Sequence, residues 1–166
     1  MIPVELVGVR VDLPANTPVV LLREQGDGGR ILPILIGHAE ANAIHIAIQG
    51  LVPPRPLTHD LMLNVVRELG GTLAKVVITE VRDHTFYAEL HVSGPNGELT
   101  ISSRPSDAIA LAVRCGAALF ASEALLDLVG IVEVEDDDDD NEEAAIIDEF
   151  RDFLDDVSPE DFDEPF

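Results

Sequence analysis

Two short segments of the chain repeat one arrangement of residue types. Arg55-Pro56-Leu57-Thr58-His59-Asp60 and Arg104-Pro105-Ser106-Asp107 each place Arg-Pro ahead of a hydroxyl residue and an aspartate. Proline, then Ser or Thr, then an acid are residues that helix starts favour. The free N–H groups of such a start, with an arginine alongside, form a site for phosphate or another anion. In that reading Arg55, Thr58, Arg104 and Ser106 contact phosphate. The same residues also suit a plain helix start, in which each arginine neutralises the acid of its own motif. Glu40 is a third candidate, because it falls on the apolar side of a helical pattern with Ala43, Ile44 and Ala47, where a carboxylate needs a partner. It either closes a capping box onto Gly37 or serves as a metal ligand or general base. His38 and His45 flank Asn42 at a spacing wider than the pair found in zinc hydrolases, and they read as an exposed polar face. Cys115, the single cysteine, ends an apolar run and reads as a packed thiol. Walker, G-x-S-x-G and dinucleotide fingerprints are absent from the sequence.

The elements that must position these residues follow from hydrophobic periodicity. Residues 2–12, 18–23 and 30–36 are Val- and Leu-rich and read as an antiparallel meander, with Asp27-Gly28-Gly29 as a turn. A helix opens at Gly37 and ends at Gly50. Three prolines, Pro53, Pro54 and Pro56, interrupt the chain before a helix capped by Thr58, with the apolar stripe Leu61, Met62, Val65, Val66 and Leu69. Residues 73–82 and 85–93 form a hairpin around Asp83-His84, with Phe86, Ala88, Leu90 and Val92 turned to the core, and Pro95-Asn96-Gly97 leads into another strand. Ser106 caps a helix that is apolar nearly all round and should be the most buried one, closed by Gly116. A short strand at 118–121 and a helix capped by Ser122 complete an α+β domain with a mixed, largely antiparallel sheet and packed helices.

Charge divides the chain in two. Residues 1–132 carry 14 acidic and 9 basic residues, whereas residues 133–166 carry 18 acidic and 1 basic, so almost all of the net charge of −22 belongs to the second region. The first region is expected to be the folded domain. The second reads as a disordered acidic linker followed by an amphipathic segment, residues 144–166, which offers Ile146, Ile147, Phe150, Phe153, Leu154 and Val157 to a protein partner. Positive mean hydropathy despite the acidic region leaves apolar surface to be shared between copies, which predicts a homo-oligomer, most simply a dimer. No apolar run reaches the roughly 20 residues that a membrane span requires, and the opening residues lack a basic leader. A cytoplasmic location with no membrane association is the resulting expectation. With one lysine in the chain, tight sequence-independent binding to nucleic acid by charge alone is disfavoured.

The blocks Leu32-Pro33-Ile34, Ile36-Gly37, Glu40-Ala41, Arg55-Pro56-Leu57-Thr58-His59-Asp60-Leu61, Thr85-Phe86-Tyr87-Ala88 and Arg104-Pro105-Ser106-Asp107-Ala108-Ile109-Ala110-Leu111-Ala112 together resemble the bifunctional nuclease domain family. The resemblance covers most of residues 1–132. It implies hydrolysis of phosphodiester bonds in DNA and RNA, with Glu40, His59, Asp60 and Asp107 as catalytic candidates. Phosphodiester hydrolysis generally needs a metal ion or base to activate water and a cation to stabilise the phosphorane. Glu40, Asp60 and Asp107 would then hold Mg2+ or Mn2+, while Arg55 and Arg104 clamp the phosphate. One departure stands out: many relatives carry an acid two residues before the Arg-Pro-Ser-Asp block, where this chain has Ser102. The competing expectation is a non-catalytic oligomeric adaptor or regulator whose acidic region binds a protein.

Overall fold

The structure is a computed structural model and describes residues 1–13, 15–26 and 29–132. Asp27 and Gly28 of the expected turn, and every expectation for residues 133–166, lie outside the described residues.

The meander is present as β1 (Ile2–Asp12), β2 (Thr17–Glu24) and β3 (Arg30–Leu35). Next come α1 (His38–Ile48), α2 (Thr58–Glu68), β4 (Thr72–Arg82), β5 (Thr85–Gly94) and β6 (Gly97–Ser103). The remainder is α3 (Pro105–Cys115), β7 (Ala118–Ala121), α4 (Glu123–Val129) and β8 (Ile131–Val132). All eight strands join one sheet in the order β6-β5-β4-β7-β1-β2-β3-β8. β7 joins the two halves. It runs antiparallel to β1, pairing Ile2 with Ala121, and parallel to β4, pairing Lys75 with Ala118, while the other pairs are antiparallel. The fold is thus α+β, with a mixed and mostly antiparallel sheet.

The main core packs Val20, Leu22, Leu32 and Ile34 from the first meander against Val76, Ile78, Ala88 and Leu90 from the second, with Ile44 of α1 and most of α3. Each fully buried Leu or Ile side chain stabilises the domain by roughly 1.5–3 kcal/mol relative to exposure. β2 is buried on both faces, because Val19 and Leu21 join Ile31 in a smaller cluster behind the sheet. A continuous apolar run in a strand has this cause. α3 is the most buried helix, and its alanines Ala108, Ala110 and Ala112 are almost inaccessible. Gly116 closes it in the left-handed conformation, which glycine adopts without steric cost. The β4–β5 hairpin turns through Asp83 and His84, both at positive φ, as a two-residue mirror-image turn requires.

Three expectations need correction. Thr58 and Ser106 are not the helix caps: Leu57 and Arg104 hold the extended cap positions. Pro105 takes the first helical position, where its missing N–H loses nothing. In α2, the Asp60 carboxylate reaches back to accept the N–H of the cap residue Leu57 at 2.9 Å, the side-chain-to-cap half of a capping box. The apolar stripe of α2 is only partly covered, since Leu61, Met62, Val65 and Leu69 are all exposed and no residue of the helix is buried. Finally, Cys115 is exposed, because it falls in the last turn of α3 where the helix leaves the core.

Candidate functional site

The start of α2, the start of α3 and the first turns of α1 face one another across a cavity of about 850 Å3, floored by Leu90 and Leu111 and edged by the end of β6. Glu40, Thr58, His59, Ser102, Arg104 and Asp107 line it. His59 Nε2 lies 3.1 Å from Asp107 Oδ1, a contact between motifs 48 residues apart. An ionised carboxylate only accepts hydrogen bonds, so the neutral ring carries its proton on Nε2 and leaves Nδ1 as the acceptor. Arg104 donates to Asp107 from Nε at 2.7 Å and from Nη2 at 3.1 Å, and its Nη1 lies 3.0 Å from Glu40 Oε1. The Arg104 side chain is nevertheless 65% exposed. A guanidinium so placed can exchange a carboxylate for a phosphate oxygen without a large desolvation cost.

Asp60 and Arg55 stand elsewhere. Asp60 is held by Arg114, whose Nε donates to its Oδ1 at 2.8 Å, and it does not line the cavity. Arg55 is exposed and also does not line the cavity. The two motifs are therefore not structural copies: Arg104 binds the acid of its own motif, whereas the acid of the first is bound from another helix. Ser106 is buried and does not line the main cavity. The three carboxylates proposed as a metal set do not gather, and no cluster of three His, Cys, Asp or Glu among the described residues could hold an ion. Arginines neutralise them instead. His38, Asn42 and His45 lie on the exposed face of α1.

Arg114 was not among the candidates. Its side chain is only 7% exposed, and besides Asp60 it donates to the carbonyls of Ala110 at 2.8 Å and Ala43 at 2.9 Å. It thus ties α1, α2 and α3 together beneath the cavity. The signal was present in the sequence, because a lone cation at the end of the most apolar helix must be paired when buried.

Burial alone would raise the Asp107 carboxyl, but hydrogen bonds from Arg104 and His59 and their charges outweigh it and hold it below the ordinary carboxylate range. Asp60 is likewise lowered: the Leu57 N–H and Arg114 overcome its burial. A depressed carboxyl contributes stability that is present above its unfolded pKa, near 3.8, and is lost as pH falls through the lower folded value. Melting curves between pH 7 and pH 2 are accordingly expected to lose the Asp60 and Asp107 contributions below about pH 4. In Asp107→Asn this acid-dependent loss is smaller.

Comparison with known proteins gives the family. The bifunctional nuclease domain family matches residues 20–134, a stretch that contains every residue of the cavity. Two proteins of Mycobacterium tuberculosis strains, both named uncharacterized, are 43% identical over 162 residues, covering 96% of this chain and 96% of their own length. Bifunctional nuclease 2 of Oryza sativa subsp. japonica is 28% identical over 131 residues, which is 77% of this chain but 40% of the plant protein. Bifunctional nuclease 1 of Arabidopsis thaliana is 28% identical over 104 residues, covering 61% of this chain and 32% of its own. The chain belongs to the bifunctional nuclease domain family.

Proposed function

We propose that the chain hydrolyses phosphodiester bonds of DNA and RNA in the cavity between α1, α2 and α3. The observation that supports this reading most is the meeting of His59, Asp107 and Arg104 in one open cavity. Arg104 binds the phosphate oxygens. His59 Nδ1 accepts a proton from water as the water oxygen bonds to phosphorus and the ester P–O bond breaks. The departing oxygen then takes that proton. Asp107 holds the ring and stabilises the imidazolium; proton transfer of this kind contributes about 10²–10⁴ in rate. Charge on the phosphorane is offset by Arg104. Mg2+ or Mn2+ remains the cation that the family resemblance implies, but the carboxylates do not fit a ready-made three-carboxylate site, so no step is routed through a metal. The test is incubation of metal-free protein with single-stranded DNA and RNA, with and without Mg2+ or Mn2+. Asp107→Asn is expected to lower cleavage by at least about 10² in every arm, and full cleavage by that variant would refute the assignment.

The second reading, a non-catalytic oligomeric adaptor, draws on the uncovered apolar side chains of α2 and of β6, where Leu99 and Ile101 are exposed. Self-association through this surface is compatible with either reading, because Met62 and Ile101 also edge the cavity. Light scattering at micromolar concentration is expected to give twice the monomer mass. Leu61→Glu with Val65→Glu should return it to the monomer, and a single monomer mass for the unaltered chain would contradict the dimer. Among the described residues no helix is long and apolar enough to cross a membrane.

A further inference from the structure

Beyond the Arg104–Glu40 ion pair lies a second, smaller cavity of about 250 Å3. Gly37, Glu40, His84, Arg104 and Ser106 are among the residues lining it, so Glu40 and Arg104 are a wall shared with the main cavity. Two helix starts reach it: α1 from its cap Gly37, and α3 from Arg104 and Pro105. The first N–H groups of a helix have no partner within it, and both starts present the positive end of the helix dipole. At α1 the position is already taken. The Glu40 carboxylate folds back over Gly37, where a side chain on residue 37 would collide with it.

The start of α3 has no such occupant, and an independent feature points to a ligand there. Ser106 is 6% exposed, and its hydroxyl makes no hydrogen bond among the described residues. The part of this residue that solvent still reaches opens on the smaller cavity, which Ser106 lines. A ligand oxygen there could accept from the hydroxyl in place of water. The neighbours specify the ligand: an exposed guanidinium, the α3 start and a hydroxyl donor favour an anion with several acceptor oxygens, which describes phosphate.

We propose that the smaller cavity is a second phosphate subsite, binding the phosphate next to the reacting one along a nucleic-acid strand. The identity of the strand rests on the nuclease reading; the anion site itself rests on Ser106, Arg104 and the α3 start. Arg104 then lies between two consecutive phosphates. The consequence is selectivity for substrates with at least two phosphates, supplied either as a second internal diester or as a terminal monoester.

Amide chemical-shift titration of the full chain tests this with three thymidine probes: TpT with one phosphate, TpTpT with two internal ones, and pTpT with one internal and one terminal. TpTpT or pTpT is expected to bind about fivefold or more tighter than TpT, with shifts at the Ser106 and Asp107 amides. In Ser106→Ala that advantage shrinks to less than about twofold, whereas the main-cavity shifts at His59 persist. A gain with TpTpT alone identifies an internal phosphate as the natural occupant, and a gain with pTpT alone a strand end. Equal affinity for all three probes in the unaltered chain overturns the subsite, as does an undiminished advantage in Ser106→Ala. Cleavage is read separately: this binding pattern without hydrolysis would count against the nuclease reading and leave the subsite in place.

Discussion

Arg114→Met is expected to destabilise the domain by about 3 kcal/mol, seen as a fall of roughly 10 °C in melting temperature. The side chain fills space between three helices and makes three hydrogen bonds while only 7% exposed. Methionine replaces the volume but leaves Asp60 without its cation and removes the Arg114 donor that the Ala43 carbonyl has beside its helical one. Leaving one member of a buried pair costs more than removing both. Adding Asp60→Asn to Arg114→Met should therefore recover part of the loss, since the amide still accepts the Leu57 N–H and carries no charge. A double variant as unstable as the two single losses added would show that the ion pair is not the cause. Because Asp60 adjoins His59, Arg114→Met should also disturb the His59–Asp107 contact. Its imidazole resonances would report this even in folded protein at low temperature.

His59→Ala is the second large effect, and it acts on chemistry rather than on folding. The proposal assigns this imidazole the proton transfer, so its removal should lower turnover by about 10²–10⁴ with little change in affinity for the strand. His59→Gln separates the proton from the hydrogen bond, because glutamine can still donate to Asp107 but cannot carry a proton at neutral pH. Both variants should be equally inactive. Their melting temperatures should stay within a few degrees of the unaltered chain, since His59 caps no helix and its partner Asp107 keeps Arg104. Substantial activity in His59→Gln would move the proton-transfer role to another group.

The sequence and the structure agree where one physical rule dominates. Alternation in 85–93 placed Ala88, Leu90 and Val92 on the core side of β5, and all are buried. The all-round apolar pattern of α3 marked the most buried helix, and Gly116 marked its end. Disagreement arises where two rules compete at one position. Ser106 follows a proline that takes the first helical place, so the cap moves back to Arg104 and the hydroxyl is carried into the interior. Thr58 is displaced by a cap that Asp60 satisfies from within the helix. The α2 stripe has the periodicity of a core-facing helix, but periodicity shows only that a face seeks cover, not whether this chain supplies it.

The candidate site was legible in part. His59, Glu40, Arg104 and Asp107 were identified from motifs, and the structure brings them to one cavity. Local sequence could not show that Asp60 belongs to Arg114, since that pair spans 54 residues. Nor could it separate Arg55 from Arg104, because both precede a proline. The distinction depends on where each chain segment leaves the domain surface. A metal set of three carboxylates looked reasonable by residue type; in the structure Asp60 pairs with Arg114, whereas Glu40 and Asp107 pair with Arg104.

The central claim is that His59, Asp107 and Arg104 form a phosphodiester-hydrolysing site, and product formation under single-turnover conditions tests it most directly. The unaltered chain, His59→Ala, Asp107→Asn and Arg104→Ala would each be mixed in excess with end-labelled single-stranded RNA and DNA, and the fragments resolved by length. The account predicts cleavage of both strands by the unaltered chain, reduced by at least about 10² in His59→Ala and Asp107→Asn. It also predicts weaker strand binding in Arg104→Ala. Cleavage by all three variants at the rate of the unaltered chain would contradict it.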